Sequence, residues 1–150
     1  MKPFAYLEPK TLEEAIDLLH GYGKRAKVLA GGTDLVVQMQ QGKIKPEVVI
    51  SLARIRELNF MKIDSEIRID PLTPLSRIAS HFSFTGRLAL LPEAALAVGD
   101  EQIRNAATLG GNIANATPSA NMPPALLTLG AKVKLQKKGG KGSWVWKSSV

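Results

Sequence analysis

The residues here best placed to do chemistry are not acids, bases or nucleophiles but two glycine pairs. "LAGGTDL" (29–35) sets Gly31-Gly32 before Thr33, and "TLGGNIANATPSAN" (108–121) sets Gly110-Gly111 after Thr108. A turn without Cβ atoms lets backbone amides converge on one point. If a helix starts at once, its unpaired amides join the same concavity, and a threonine hydroxyl adds a donor. Such a cradle suits an oxyanion, most simply a phosphate or diphosphate. Either pair alone is also explained as an ordinary strand-to-helix turn. Two pairs, each with an adjacent threonine, describe a diphosphate held between two subdomains. Asn112, Asn115, Thr117, Ser119 and Asn121 then supply short neutral groups suited to hydroxyls and amides. Asn115 and Ser119 serve equally well to hold the loop's conformation.

Other chemistries are excluded or weakened. Neither G-x-G-x-x-G nor G-x-x-x-x-G-K-[ST] occurs, so the Rossmann and Walker fingerprints are missing, and with them the lysine that phosphoryl transfer would use. There is no cysteine and there are only two histidines, His20 and His81, which leaves no thiolate or histidine metal site and no disulfide. No nucleophile–base pair stands out for an acyl or sugar-phosphate enzyme. The net charge of +7 belongs to one end: all 13 acidic residues and 14 of the 20 basic ones lie at or before residue 131. The other lysines are Lys132, Lys134, Lys137, Lys138, Lys141 and Lys147, so the body has no basic face for nucleic acid. No apolar run reaches the ~20 residues of a membrane span, and the N-terminus is not a secretory signal. The expectation is a cytoplasmic protein that binds neither nucleic acid nor membrane.

The elements that position the turns follow from local pattern. "FAYLEP" reads as a strand. Thr11 and Glu14 form a capping box before an apolar stripe of Leu12, Ala15, Ile16 and Leu19, ended by Gly21 and Gly23. "AKVLA" (26–30) and "EVVISL" (47–52) read as parallel strands covered on both sides. Between them "TDLVVQMQQG" is a short helix capped by Thr33 or Asp34 and stopped by Gly42. This is a small parallel βαβαβ unit. From about residue 56 the pattern changes. "FMKI" and "EIRID" alternate as a hairpin, and Pro74 and Pro92 open helices. "QIRNAATLGGNI" mixes strand and turn, "PPALLTLG" is helical, and "AKVKLQ" is a strand. The fold class is α+β: a parallel subdomain over 1–55, then an antiparallel-sheet α+β subdomain over 56–136. A basic segment, 137–150, is expected to be a flexible tail, although its "WVW" also reads as the start of a strand that would leave the sheet an unpaired edge.

"AGGTDL" and "TLGGNIANATPSAN", with "QIRN" before the second and "PPALLTLGAKVKL" after it, resemble the FAD-binding subunit of the molybdenum hydroxylases. That family includes xanthine dehydrogenase, carbon monoxide dehydrogenase and 4-hydroxybenzoyl-CoA reductase. "FAYLEPKTLEEAIDLL" and "GKIKPEVVISLARIREL" carry the same resemblance, which runs from residue 2 to about 135. It implies a two-part FAD-binding domain like that of vanillyl-alcohol oxidase, with FAD held between the subdomains and both turns around its diphosphate. The implied flavin contacts are Val28, Leu29, Ala30, Gly31, Gly32, Thr33, Asp34 and Leu35 in the first loop. In the second they are Thr108, Leu109, Gly110, Gly111 and Asn112, joined by Val98 and Asn121. Implied partners are a molybdopterin-binding large subunit and an iron–sulfur small subunit, with NAD+ or another acceptor taking the electrons. The flavin supplies the redox chemistry, so no catalytic residue is implied.

Some positions depart from the family pattern. Asn121 stands where the family usually has aspartate, which implies weaker flavin binding. Asp70-Pro71 replaces Gly-Ala at the end of a strand, where proline fits only an edge or terminus. The family runs on for well over a hundred residues, so the chain is expected to be shortened. The rival reading is a folded, cofactor-free remnant acting at most as a binding or structural module. Asp34 serves as helix cap or flavin ligand, and Arg104 is expected to pair with Asp100 or Glu101.

Overall fold

A computed structural model describes residues 2–140 and 142–145. The first part is the expected parallel unit: β1 (Ala5–Leu7), α1 (Leu12–Tyr22), β2 (Ala26–Leu29), α2 (Leu35–Gln40) and β3 (Val48–Ser51). All pairing is parallel, in the order β1-β3-β2, with Ala5 and Ala26 both opposite Val48. Only the central strand is covered on both faces, and all four β3 residues are buried. β2 lies at the sheet edge, so Lys27 and Val28 are exposed. Uniform apolarity therefore marked the centre of the sheet correctly and β2 incorrectly.

The α1 cap forms as its sequence dictates. The Glu14 amide donates to Thr11 Oγ1 at 3.2 Å, and Glu14 reaches back to the Lys10 amide at 2.8 Å. Gly23, with φ +52°, ends the helix; Gly21 lies inside it. α1 and the strands close a small core of Ala26, Val48 and Ile50 under Leu7, Leu18, Leu19 and Tyr22.

The second part is built mainly from short helices around a separate core that includes Leu75, Ile78, Leu91, Ala95, Leu109 and Met122. β4 (Met61–Ile63) and β5 (Ile67–Ile69) form the expected antiparallel hairpin. α3 (Leu75–Ala79), α4 (Leu90–Leu96), α5 (Glu101–Ala106), α6 (Leu109–Asn115) and α7 (Met122–Thr128) follow. Pro71 stands just beyond β5, where a missing amide costs nothing in the ladder.

Two expectations are corrected. "QIRNAATLGGNI" is two helices rather than strand and turn, because each carries its own N-cap. Asp100 Oδ1 accepts from the Ile103 amide at 2.8 Å, and Thr108 Oγ1 accepts from Gly111 at 3.1 Å. The strand signal survives only as a single bridge between Pro74 and Thr108. The segment after residue 136 is not simply a tail: β7 (Ser143–Val145) pairs antiparallel with β6 (Val133–Leu135). Lys138 ties the connection to Asp17 of α1 at 3.1 Å. Among the described residues the antiparallel strands form two separate hairpins. Lys141, Trp146 and Lys147 lie outside the described residues.

Candidate functional site

The two glycine turns meet. Gly31 follows β2 and lies against the end of α5, where a Cβ would collide with the Ala106 carbonyl oxygen. A Cβ on Gly111 would stand 3.9 Å from that of Ala30 and 3.0 Å from Thr108 Oγ1. Gly110 is pressed against Pro71, whose Cβ would be 2.5 Å away. Gly31 and Gly110 are therefore required by close approach of another stretch of backbone, and Gly111 is crowded by the Thr108 hydroxyl. The fourth, Gly32, is required by its φ of +78°.

The remaining predicted residues extend this contact into one strip. Asn112 Oδ1 accepts from the Met122 amide at 3.4 Å, and Asn121 Nδ2 donates to the Ala97 carbonyl at 3.0 Å, beside Val98. Val98 is half-buried against the second core. Leu109 is itself a core residue, 5% exposed, so its side chain faces away from any ligand. Asp34 occupies the N-cap position of α2, but neither its carboxylate nor the Thr33 hydroxyl accepts a capping bond from the helix amides. Arg104 forms no ion pair among the described residues. Its guanidinium instead donates to the carbonyls of Leu96, Val98 and Gly99, at 3.3, 3.2 and 2.7 Å, and closes the end of α4.

Where the amides go separates the two turns. In the second, Leu109 donates to the Thr73 carbonyl at 3.0 Å, Gly110 to Pro71 at 2.8 Å and Asn112 to Thr108 at 3.0 Å, while Gly111 serves the cap. None is left for a ligand. In the first, the amides of Gly31, Gly32, Thr33, Asp34 and Leu35 have no acceptor among the described residues. The last of these are the first amides of α2, which no helix can pair internally, and with the turn amides they form a ready anion cradle.

Beside this cradle lies a cleft of about 470 Å³, walled by Ala30 and Gly31 on one side and by Thr108 and Pro74 on the other. Ile55 and Arg56, from the turn after β3, form its floor and rim. It therefore opens at the carboxyl ends of parallel strands, the usual ligand position in such sheets. A second concavity, about 480 Å³, runs along the acidic face of α1, away from both turns. Sequence reasoning missed Arg56, Asn59 and the carbonyls that occupy the second turn. The position of "ARIREL" after a buried strand was the available signal for the first two.

A half-open cleft between two lobes, with a row of ligand-ready amides at a strand end, defines a nucleotide- or phosphate-binding domain. Residues 2–146 match the family described as the FAD binding domain in molybdopterin dehydrogenase, and the chain belongs to that family. The match extends past residue 135 into the β6–β7 hairpin. The nicotinate dehydrogenase FAD-subunit of Eubacterium barkeri is 37% identical over 93% of this chain and 48% of its own length. The glyceraldehyde dehydrogenase medium chain of Sulfolobus acidocaldarius is 32% identical over 93% of this chain and 50% of its own. Among solved structures, a chain of carbon monoxide dehydrogenase from Hydrogenophaga pseudoflava superposes with a TM-score of 0.90 at 34% identity. It covers 97% of this chain and 51% of that one. The chain thus spans about half the length of the curated relatives it matches. FAD is the cofactor of the family, and among the described residues no helix is long and apolar enough to cross a membrane.

Proposed function

We propose that this chain holds the FAD of a cytoplasmic molybdenum-containing dehydrogenase, between an iron–sulfur subunit that delivers electrons and NAD+ or another acceptor that removes them. A molybdopterin-binding large subunit would oxidise the substrate. The relatives' names state nicotinate, glyceraldehyde and carbon monoxide as substrates, so xanthine dehydrogenase-type chemistry is one of several the partner could perform. FAD, when bound, supplies the redox chemistry that no side chain here can supply.

The residues present fit such a cofactor, with a division of labour. Residues 31–35 carry the donors for its diphosphate, and the adjoining residues 28–30 carry the strand that aims them. Thr108 through Asn112 form the facing wall rather than a second set of donors, because their amides already serve the protein. Val98 contributes apolar surface. Asn121 offers its Oδ1 to a cofactor hydroxyl while Nδ2 holds the end of α4. The single observation that carries the proposal is a run of five acceptor-less amides whose first member, Gly31, lines one cleft together with Thr108 of the second turn.

The test is a titration of the purified chain with FAD. Binding with absorbance at about 370 and 450 nm, the bands of a bound oxidised flavin, supports the proposal. Colourless protein indifferent to FAD overturns it in favour of a cofactor-free module.

A further inference from the structure

The cleft between the turns has one wall residue that the family resemblance does not assign. Arg56 opens the short turn Arg56–Leu58, the next element after β3, and lines the cleft with Gly31 and Thr108. It is the only charged residue of that lining among the described residues. Its neighbours there are apolar or, like Asn59 and Thr108, small and neutral. The charged neighbours of Arg56 are engaged elsewhere. Arg54 pairs with Glu8 at 3.2 Å, and Glu57 accepts from the Leu12 amide at 3.3 Å. No carboxylate pairs with the Arg56 guanidinium among the described residues.

The first turn offers only amide dipoles, and its one ionisable side chain, Asp34, carries the wrong sign. A diphosphate bound there would meet no full positive charge from either glycine turn. Amides can orient such a group, but charge-assisted bonds from a guanidinium fork are roughly twice as strong and match two phosphate oxygens at once. Arg56 lines the same cleft as Gly31, is exposed, and has no competing carboxylate among the described residues.

We propose that Arg56 is the cationic binding residue for the phosphates of the nucleotide held in this cleft. The inference rests on the FAD reading above and adds to it a specific source of charge. It gives the cleft a polarity. Phosphates lie toward Arg56 and the amides of residues 31–35, and the apolar wall of Ile55 and Leu72 is left for the adenosine portion.

The test compares the chain with its Arg56→Ala and Arg56→Lys variants, titrated with FAD, ADP and adenosine by amide chemical shifts of residues 31–35. Thermal melts verify that each variant is folded. Arg56→Ala should weaken FAD and ADP about tenfold and leave adenosine unchanged, while Arg56→Lys recovers part of the loss. Added salt should weaken the unaltered chain more than Arg56→Ala. Affinity of Arg56→Ala for FAD and ADP equal to that of the unaltered chain overturns the inference. So does an equal loss for adenosine, which would put the guanidinium on the base. If the unaltered chain binds ADP through Arg56 but not FAD, the flavin reading falls and the phosphate role stands. If it binds neither, both fall.

Discussion

The two glycine turns look alike in sequence and do different work. Both place Gly-Gly beside threonine, and both sit where a helix begins. In the first, five consecutive amides from Gly31 to Leu35 have no acceptor among the described residues. In the second, the amides from Leu109 to Asn112 are all taken by carbonyls or by the Thr108 hydroxyl. One turn is a donor surface, and the other is a tightly fastened wall against which that surface is built. A glycine pair therefore signals close backbone approach, and only the hydrogen-bond accounting says what approaches.

The comparison can be broken most forcefully at Gly31. Alanine there would drive a methyl group into the Ala106 carbonyl and push the turns apart. Gly31→Ala should lower stability by about 3 kcal/mol in urea denaturation and abolish FAD binding. An unchanged midpoint would show that the turns do not touch. Gly32→Val acts through the backbone instead, since valine at φ +78° costs about 1–3 kcal/mol. That variant should remain folded by circular dichroism and lose FAD in an equilibrium titration.

A subtler change sharpens the contrast between the turns. Thr108→Val removes the α6 cap and releases the Gly111 amide, at a cost of about 1 kcal/mol readable from a melting curve. If the second turn is a wall, FAD affinity should change by no more than about threefold; a much larger loss would make Thr108 a direct ligand. The smallest effect belongs to the β4–β5 turn, remote from both. Lys62, with the Glu66 amide, holds the Asp64 carboxyl below its ordinary value of 3.8. Its stabilising effect is therefore present above that value and lost as pH falls through the depressed one. Because Asp64 is solvent-exposed, Asp64→Asn should leave the melting temperature at neutral pH and FAD affinity unchanged. Any difference should appear only in acid.

Much of this was legible from residue order. The βαβαβ unit followed from apolar runs and from the Thr11–Glu14 cap, and the hairpin from alternation across Asp64-Ser65. Reading "QIRNAATLGGNI" as strand and turn failed because its apolar residues are few. Two side-chain caps, Asp100 and Thr108, decided its conformation. β2 was misjudged because its composition resembles that of β3 while its neighbours differ. Arg104 lay close to two acids, yet three carbonyls at the end of α4 offered its guanidinium a better-matched set of acceptors.

By itself the sequence determined where the chain turns, which positions must lack a Cβ, and which family the pattern belongs to. Those properties are local, set by side-chain size, capping chemistry and hydrophobic period. Only the tertiary structure decided which amides remain for a ligand. The acceptors that occupy the second turn, Pro71 and Thr73, come from a distant part of the chain, and a backbone carbonyl leaves no mark in residue type. The same holds for Arg56, an unremarkable surface arginine until the fold places it at the mouth of the cleft.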